Sequence, residues 1–425
     1  MSTSPQLQRE LGVLGATMMG LGSIIGTGVF VSIGIAAGIA GSGAILAVAI
    51  GAIVAICNGL NSAQLAASHP VSGGTYEYGY KYLTPWLGFT AGWMFLLAKT
   101  ASAATAALGF AGYLQRFFGL SGQGLLVAIA LFSVLILTII VWTGIRRSNL
   151  ANITIVSVTL LSLCFFILAG LPTAATSGID NLTPFFPNSI GDLLHASALM
   201  FVAYTGYGRI ATMGEEARNP RRTIPTAIIT AMVLTMLLYI AVAFVAVGAV
   251  GADVLGKATA APLEVVMSRL SIPGGTQILA IGAMTAMLGV LLNLILGLSR
   301  VLLAMGRRRD MPRIVARLNQ AGTTPDVAVW VMGIAIASLV LIGNVKTTWS
   351  FSAFTVLIYY AITNLAALQL PESDRLYPKW LAWLGLAACL FLAFWVEQQI
   401  WLTGLSLIIA GLIWHFVVQR VIGDR

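Results

Sequence analysis

Charge is scarce in this chain. Asp, Glu, Lys and Arg make up 9% of its 425 residues, where a soluble domain carries about 25%. A protein so poor in charge and 58% hydrophobic, with a mean hydropathy of +0.93, cannot cover itself with water-compatible groups. A bilayer must surround most of it. Cysteine is nearly missing too. Cys57, Cys164 and Cys389 sit in apolar runs without paired spacing, which excludes a disulfide framework and reads as buried packing. Three scattered histidines, His69, His195 and His415, lack a partner at ligand spacing, which argues against metal binding. There is no phosphate-cradling glycine loop and no cluster of catalytic acids, so neither an ATP-driven pump nor a membrane enzyme is expected, and no organic cofactor. The short polar start precedes no cleavable apolar core, so no removable signal peptide is expected.

What the chain does hold is long apolar runs. Spans of roughly 18–25 apolar residues cross a bilayer as helices. Twelve are predicted, at 12–40, 43–67, 85–114, 124–142, 149–171, 193–213, 223–250, 276–305, 328–343, 349–370, 380–396 and 400–418. The stretches between them are too short for a soluble domain, so the fold class is an all-helical integral membrane protein. Twelve crossings put 17 of the 23 Lys and Arg residues on one side and four on the other, with Lys99 and Arg209 inside spans. This asymmetry predicts that both termini face the cytoplasm of the cell membrane. It also accounts for the net charge of +9 without nucleic acid as a partner.

Backbone amides in hydrocarbon need hydrogen bonds, so glycine clusters in mid-span mark places where a helix breaks and lines a cavity. The first span reads Gly20-Leu21-Gly22-Ser23-Ile24-Ile25-Gly26-Thr27-Gly28-Val29-Phe30. Its glycines also fit the plainer reading of a packing face, because Gly22 and Gly26 form a GxxxG pair. The sixth span is interrupted in the same way, at Tyr204-Thr205-Gly206-Tyr207-Gly208-Arg209. Broken spans five apart are the pattern of an inverted repeat whose two discontinuous helices meet near the midplane. Free N–H groups there suit a carboxylate, and free carbonyls suit an ammonium group or a cation.

These residues also carry a resemblance. The run 22–30, the segment Pro70-Val71-Ser72-Gly73-Gly74-Thr75-Tyr76, the pair Gly206-Tyr207 with Glu215-Glu216-Ala217-Arg218-Asn219-Pro220, and Ser299-Arg300 with Ala304-Met305-Gly306-Arg307 resemble, in order, the landmarks of the amino acid–polyamine–organocation permeases. The resemblance implies a LeuT-like fold. Residues 12–171 and 172–370 would be the two repeats, 1–11 a cytoplasmic tail and 371–425 two accessory helices with a short tail. It further implies that Ser23, Ile24, Gly26, Thr27 and Gly28 hold a substrate carboxylate. The backbone at Tyr204, Thr205 and Gly206 would receive its amino group, and Val202, Tyr204 and Tyr207 would line the side-chain pocket. Tyr204 or Tyr207 alone is as readily core packing.

The chain departs from that family in its charges. Where many members place an acid after the Gly-aromatic pair, this one has Gly208 and then Arg209. A cation there would repel a cationic side chain by roughly 4 kcal/mol at about 4 Å and intermediate dielectric. Neutral amino acids are therefore favoured and acidic ones admitted, unless Arg209 merely pairs with Glu215 or Glu216 along one helix face. The fifth span lacks the lysine of some proton-coupled relatives. Lys99 in the third span is instead an expensive intramembrane charge. It is expected either to couple protons or contact substrate, or else to snorkel or form a structural ion pair. Gly22, Ile25 and Thr285 would make an alternative sodium site. An exchanger, and a sensor that binds without transporting, are the competing functions.

Overall fold

The computed structural model describes residues 12–70, 73–144, 149–185, 189–211, 217–258, 260–320 and 322–423, and among them every regular element is helical. In chain order the α-helices are α1 (Val13–Ile24), α2 (Ile33–Ala40), α3 (Ala44–Ser68), α4 (Thr75–Tyr82), α5 (Pro85–Phe117), α6 (Gln123–Trp142), α7 (Asn149–Leu182), α8 (Ile190–Tyr204) and α9 (Gly208–Ala211). They continue as α10 (Pro220–Val250), α11 (Ala252–Lys257), α12 (Pro262–Leu270), α13 (Gly275–Arg307), α14 (Asp326–Val340), α15 (Val345–Leu368), α16 (Lys379–Ala393) and α17 (Gln398–Gly423).

Eight stretches are long and apolar enough to cross a membrane, and α14 and α16 are shorter apolar helices. The first stretch, Val13–Ser68, has 56 residues. As one straight helix it would measure about 84 Å, far beyond a hydrocarbon core of about 30 Å. It is divided at Gly41–Gly43, a turn entered through Gly41 with a φ of 59°, a conformation that a side chain resists.

The seventh helix departs from expectation. The sequence predicts that the fifth span stops at 171, before Pro172, yet α7 runs through that proline to Leu182. Its far end is anchored: Asn181 accepts from Ser42 Oγ at 3.2 Å and donates to the Gly248 carbonyl at 2.8 Å. These contacts hold the segment beyond Pro172 against α10 and the turn before α3. Cys164, on the same helix, corrects a second expectation. It is exposed, whereas Cys57 and Cys389 are buried. Only 33% of the most apolar segment of α7 is buried. In a bilayer an apolar residue is equally at home facing lipid, so apolarity alone does not report burial.

Burial is concentrated in α5 and α15, whose most apolar segments are 83% buried, against 17% for α17. Small residues explain the centrality of α5. Ala98, Ala101, Ala104, Ala107 and Ala111 are all fully buried, at a spacing that lets neighbouring backbones close in. A carboxamide network then locks α3 to α15 and α16. Asn61 donates to Asn364 at 2.7 Å, Asn364 to Asn58 at 2.6 Å, and Gln64 to Asn61 at 2.9 Å. All four side chains are fully buried, so the bonds among them face no competition from water. Asn364→Leu should remove its bonds to Asn58 and Asn61, leaving the Asn61 amide only the Leu381 carbonyl at 3.4 Å, at a total of about 1–3 kcal/mol. The melting temperature of purified protein should fall by several degrees; an unchanged midpoint would contradict the role of the network.

Polar clusters also tie the helix ends. At the basic end, the fully buried Asp310 accepts from Tyr76 at 2.7 Å and Tyr80 at 2.8 Å, and its carbonyl accepts from Trp414 Nε1 at 2.9 Å. Burial and the charge of Asp310 push both phenols well above the ordinary tyrosine range, so they remain donors. At the opposite end Glu397 meets His195 at 3.2 Å and Lys346 at 3.1 Å, joining the starts of α8, α15 and α17. Burial raises the pKa of Glu397, but the hydrogen bond and charge of His195 prevail and hold it down at about 2. A depressed carboxylate stabilises the fold above its unfolded value of 4.5 and loses that contribution as pH falls toward about 2. Glu397→Gln should therefore lower the melting temperature at neutral pH and flatten its decline over that acid range. If variant and wild type declined in parallel, the ion pair would carry no such linkage.

Candidate functional site

The first break is narrower than the glycine pattern suggests. α1 continues through Gly22 and Ser23, and only Ile25 and Gly26 leave helical form before a π turn at Gly28–Ser32. Ile25 is extended, with φ −80° and ψ 109°, while its N–H still bonds the Leu21 carbonyl. Gly22 stays helical and packs closely under Asn152 and Val156 of α7, and Asn152 also donates to the Met18 carbonyl at 3.1 Å. Ser23 Oγ is used internally, on the Met19 carbonyl at 3.0 Å. Thr27 differs: its hydroxyl is buried and has no hydrogen-bond partner. A turn that restarts after a break begins with amides lacking helical acceptors, so donors and an idle hydroxyl share this spot.

The second break is a single 3₁₀ turn, Thr205–Tyr207, between α8 and α9. Neighbouring side chains hold it. Tyr204 donates to the Val48 carbonyl at 3.2 Å, Thr205 Oγ1 to the Val202 carbonyl at 2.8 Å, and Tyr360 to the Thr205 carbonyl at 3.2 Å. Val202 and Tyr207 are buried, and the Tyr207 and Tyr360 rings lie 5.3 Å apart.

The two breaks touch. A Cβ on Gly206 would overlap the Ser23 carbonyl and the Ile24 nitrogen, so backbone meets backbone there and only glycine fits. One turn away a Cβ on Gly28 would lie 2.8 Å from Ala203 Cα. Tyr239 of α10 secures the first break by donating to the Ile24 carbonyl at 2.9 Å. Gly26 packs on Val290 and Ala286 of α13, the helix on which Thr285 is half-buried.

Lys99 reaches the same centre. Its Nζ donates to Thr205 Oγ1 at 2.9 Å, and the side chain is buried. Among the described residues no carboxylate lies within ion-pair distance of it. Its hydrogen bond goes instead to a hydroxyl of the second break. An ammonium group left in low dielectric without a counter-ion costs several kcal/mol, and this one ends on the second break. Arg209 is half-buried on α9 and is engaged in a contact; Glu215 and Glu216, its expected partners, lie outside the described residues.

Sequence reasoning missed the residues that position these groups. Ser102 bonds Ser352 at 2.7 Å and Thr105 bonds Thr348 at 2.8 Å. With Lys99 they make a polar stripe on α5 at three-residue spacing, Ser102 and Thr105 meeting α15 and Lys99 meeting Thr205. The run Thr100-Ala101-Ser102-Ala103-Ala104-Thr105 held that signal. Tyr239 and Tyr360 gave none, since a tyrosine in an apolar span looks the same whether or not it caps a distant carbonyl.

An apolar helical bundle whose interior brings two interrupted helices and a lysine together has the build of a multi-pass membrane transporter. The chain belongs to the amino acid permease family: the family model described as "Amino acid permease" matches residues 15–423. An uncharacterized transporter of Mycobacterium tuberculosis is 38% identical over 426 residues, covering 99% of this chain and 93% of that one. The branched-chain amino acid permease BcaP of Bacillus subtilis is 29% identical, with 99% and 95% covered. The methylthioribose transporter of the same organism is 26% identical over equal shares. The family and these relatives are transporters, not enzymes.

The contact at Gly206 yields a direct prediction. Gly206→Ala forces a methyl into the backbone of Ser23 and Ile24, so uptake into liposomes should fall at least about tenfold, a loss of roughly 1.4 kcal/mol or more. Gly208→Ala is the control, since its Cβ would meet only the Tyr360 hydroxyl at 3.2 Å. Equal uptake by the two variants would contradict the reading.

Proposed function

We propose that the chain is a secondary transporter of amino acids, neutral ones first and acidic ones admitted, that works by alternating access. The supporting observation is the meeting of both helix breaks at Gly206 and Ser23–Ile24 beside Lys99. In this reading the twelve crossings form a LeuT-like five-plus-five inverted repeat, 12–171 and 172–370, with 371–425 accessory. Both termini lie in the cytoplasm and the bilayer is the plasma membrane. The amides after Ile25, with Ser23, Ile24, Gly26, Thr27 and Gly28 around them, receive the substrate carboxylate, and the idle Thr27 hydroxyl donates to it. The carbonyls near Tyr204, Thr205 and Gly206 receive the ammonium group, and Val202, Tyr204 and Tyr207 border the side chain.

Lys99 is then the coupling group. Its amine bonds a hydroxyl within the second break, so a proton gained or lost at Nζ is felt where the helix must move. Protons couple transport through this residue, with Arg209, Glu215 and Glu216 modulating charge at the mouth. Coupling by sodium through Gly22, Ile25 and Thr285 has less support, because Gly22 remains helical and packed under Asn152.

Counterflow of a labelled neutral amino acid in proteoliposomes tests carriage itself: accumulation against trapped unlabelled substrate is expected, and a sensor or a binding-only protein would show none. Lys99→Ala should keep measurable counterflow but lose the pH dependence of net uptake. Full, pH-dependent uptake by that variant would end the coupling role of Lys99.

A further inference from the structure

A groove on the perimeter, away from both breaks, points to a second kind of ligand. It lies between α3 and α10, has a volume of about 270 Å³, and is lined by Ile56, Leu60, Ile228, Ile229, Met232 and Tyr377. Ile56 and Leu60 are one turn apart, as are Ile228 and Met232, so two apolar faces form its walls. Tyr377 closes the end nearest the basic side, held there by Gln64 Oε1, which accepts from the Leu376 and Tyr377 amides at 3.3 Å each. Toward the bilayer centre the groove runs into an outward stripe with Ile53 57% and Leu237 58% exposed. Its volume falls just below the range of pockets for drug-sized molecules, about 300–1,000 Å³. An open apolar slot of this kind fits a length of acyl chain.

The charges at its mouth specify the headgroup. Arg222 lies seven residues before Ile229 and eleven before Val233, so it shares their face of α10 and stands at the basic end of the groove. Arg218, Arg221 and Lys379 are also exposed at that end. Two acids stand near. Asp374 takes Arg221 at 3.9 Å, and Glu372 lies on the same loop. Among the described residues Arg222 and Lys379 have no carboxylate partner. The amides of the first turn of α10 add the positive end of a 31-residue helix.

We propose that this groove binds one anionic phospholipid of the basic-side leaflet, its acyl chain between α3 and α10 and its phosphate against Arg222, Lys379 and the start of α10. The site bears on transport through α10. Tyr239, one heptad beyond Met232, holds the Ile24 carbonyl at the first break, so a lipid that braces α10 against α3 steadies that capping residue.

The test uses purified full-length protein in detergent, phosphatidylglycerol and phosphatidylcholine of identical chains, and two readouts. In native mass spectrometry of wild type with an equimolar mixture, phosphatidylglycerol should be retained in preference. A basic residue at a membrane surface is worth about fivefold in such a preference. In thermal melts phosphatidylglycerol should raise the midpoint more than phosphatidylcholine does. Arg222→Gln with Lys379→Gln should make the two lipids equal without changing the lipid-free midpoint, and Arg222→Lys should retain the preference. Ile229→Trp, which fills the groove from its exposed side, should weaken the response to both lipids. Equal retention by wild type, a preference that survives the double substitution, or a disulfide between two copies of an Ile229→Cys variant would overturn the proposal. The last outcome would show a second chain in the groove instead. Should the double variant melt low without lipid, the mass-spectrometric competition on wild type decides alone.

Discussion

Everything in the interior is arranged around one close approach, the Gly206 backbone against that of Ser23 and Ile24. Two helices seldom come this near, because side chains ordinarily keep their axes 8–10 Å apart. Here the missing Cβ of Gly206 lets the peptide groups of one break reach the other. The helices therefore lose ladder bonds where they meet, in a medium without water to replace them. Tyrosines make good part of the loss. Tyr239 caps the Ile24 carbonyl and Tyr360 the Thr205 carbonyl. What they leave unsatisfied, the Thr27 hydroxyl and the amides that restart after Ile25, is what a carboxylate can use.

Burial and polarity are in tension throughout. The most buried helices, α5 and α15, also carry hydroxyl pairs, Ser102 with Ser352 and Thr105 with Thr348. Lys99 sits on that stripe and contacts Thr205. Interhelical hydrogen bonds in lipid contribute only about 0.6 kcal/mol each on average, so the stripe adds registration more than stability. It fixes the height of α5 against α15, and so sets where the lysine ends relative to the second break. A one-turn slip would carry Nζ about 5 Å from Thr205.

Much of this was legible in the sequence, for physical reasons that particular residues show. Glycines at 20, 22, 26 and 28 and at 206 and 208 marked the breaks, because mid-span glycine is costly unless the backbone must bend or approach closely. Lys99 stood out as the one intramembrane lysine, but nothing in the sequence tied it to Thr205. The width of the first break was not legible. Gly22 looks the same in sequence as Gly26, yet Gly22 stays in α1 and Gly26 does not. The overrun of α7 past Pro172 was equally hidden, since it depends on where Ser42 and Gly248 fall in space. Cys164 was misjudged because in lipid an apolar neighbourhood does not distinguish core from surface. Asn58, Asn61 and Gln64 formed a readable polar stripe at three-residue spacing, yet their partner Asn364 lies some 300 positions away.

The most direct test of the central claim is a cryo-EM map of the protein saturated with a transported amino acid. The account predicts both helices interrupted, at Ile25–Gly26 and at 205–207. Ligand density should lie between them, with its carboxylate within hydrogen-bond distance of the Thr27 hydroxyl and the amides beside it. Substrate bound elsewhere, or two unbroken α-helices packed side chain to side chain at Gly206, would contradict it.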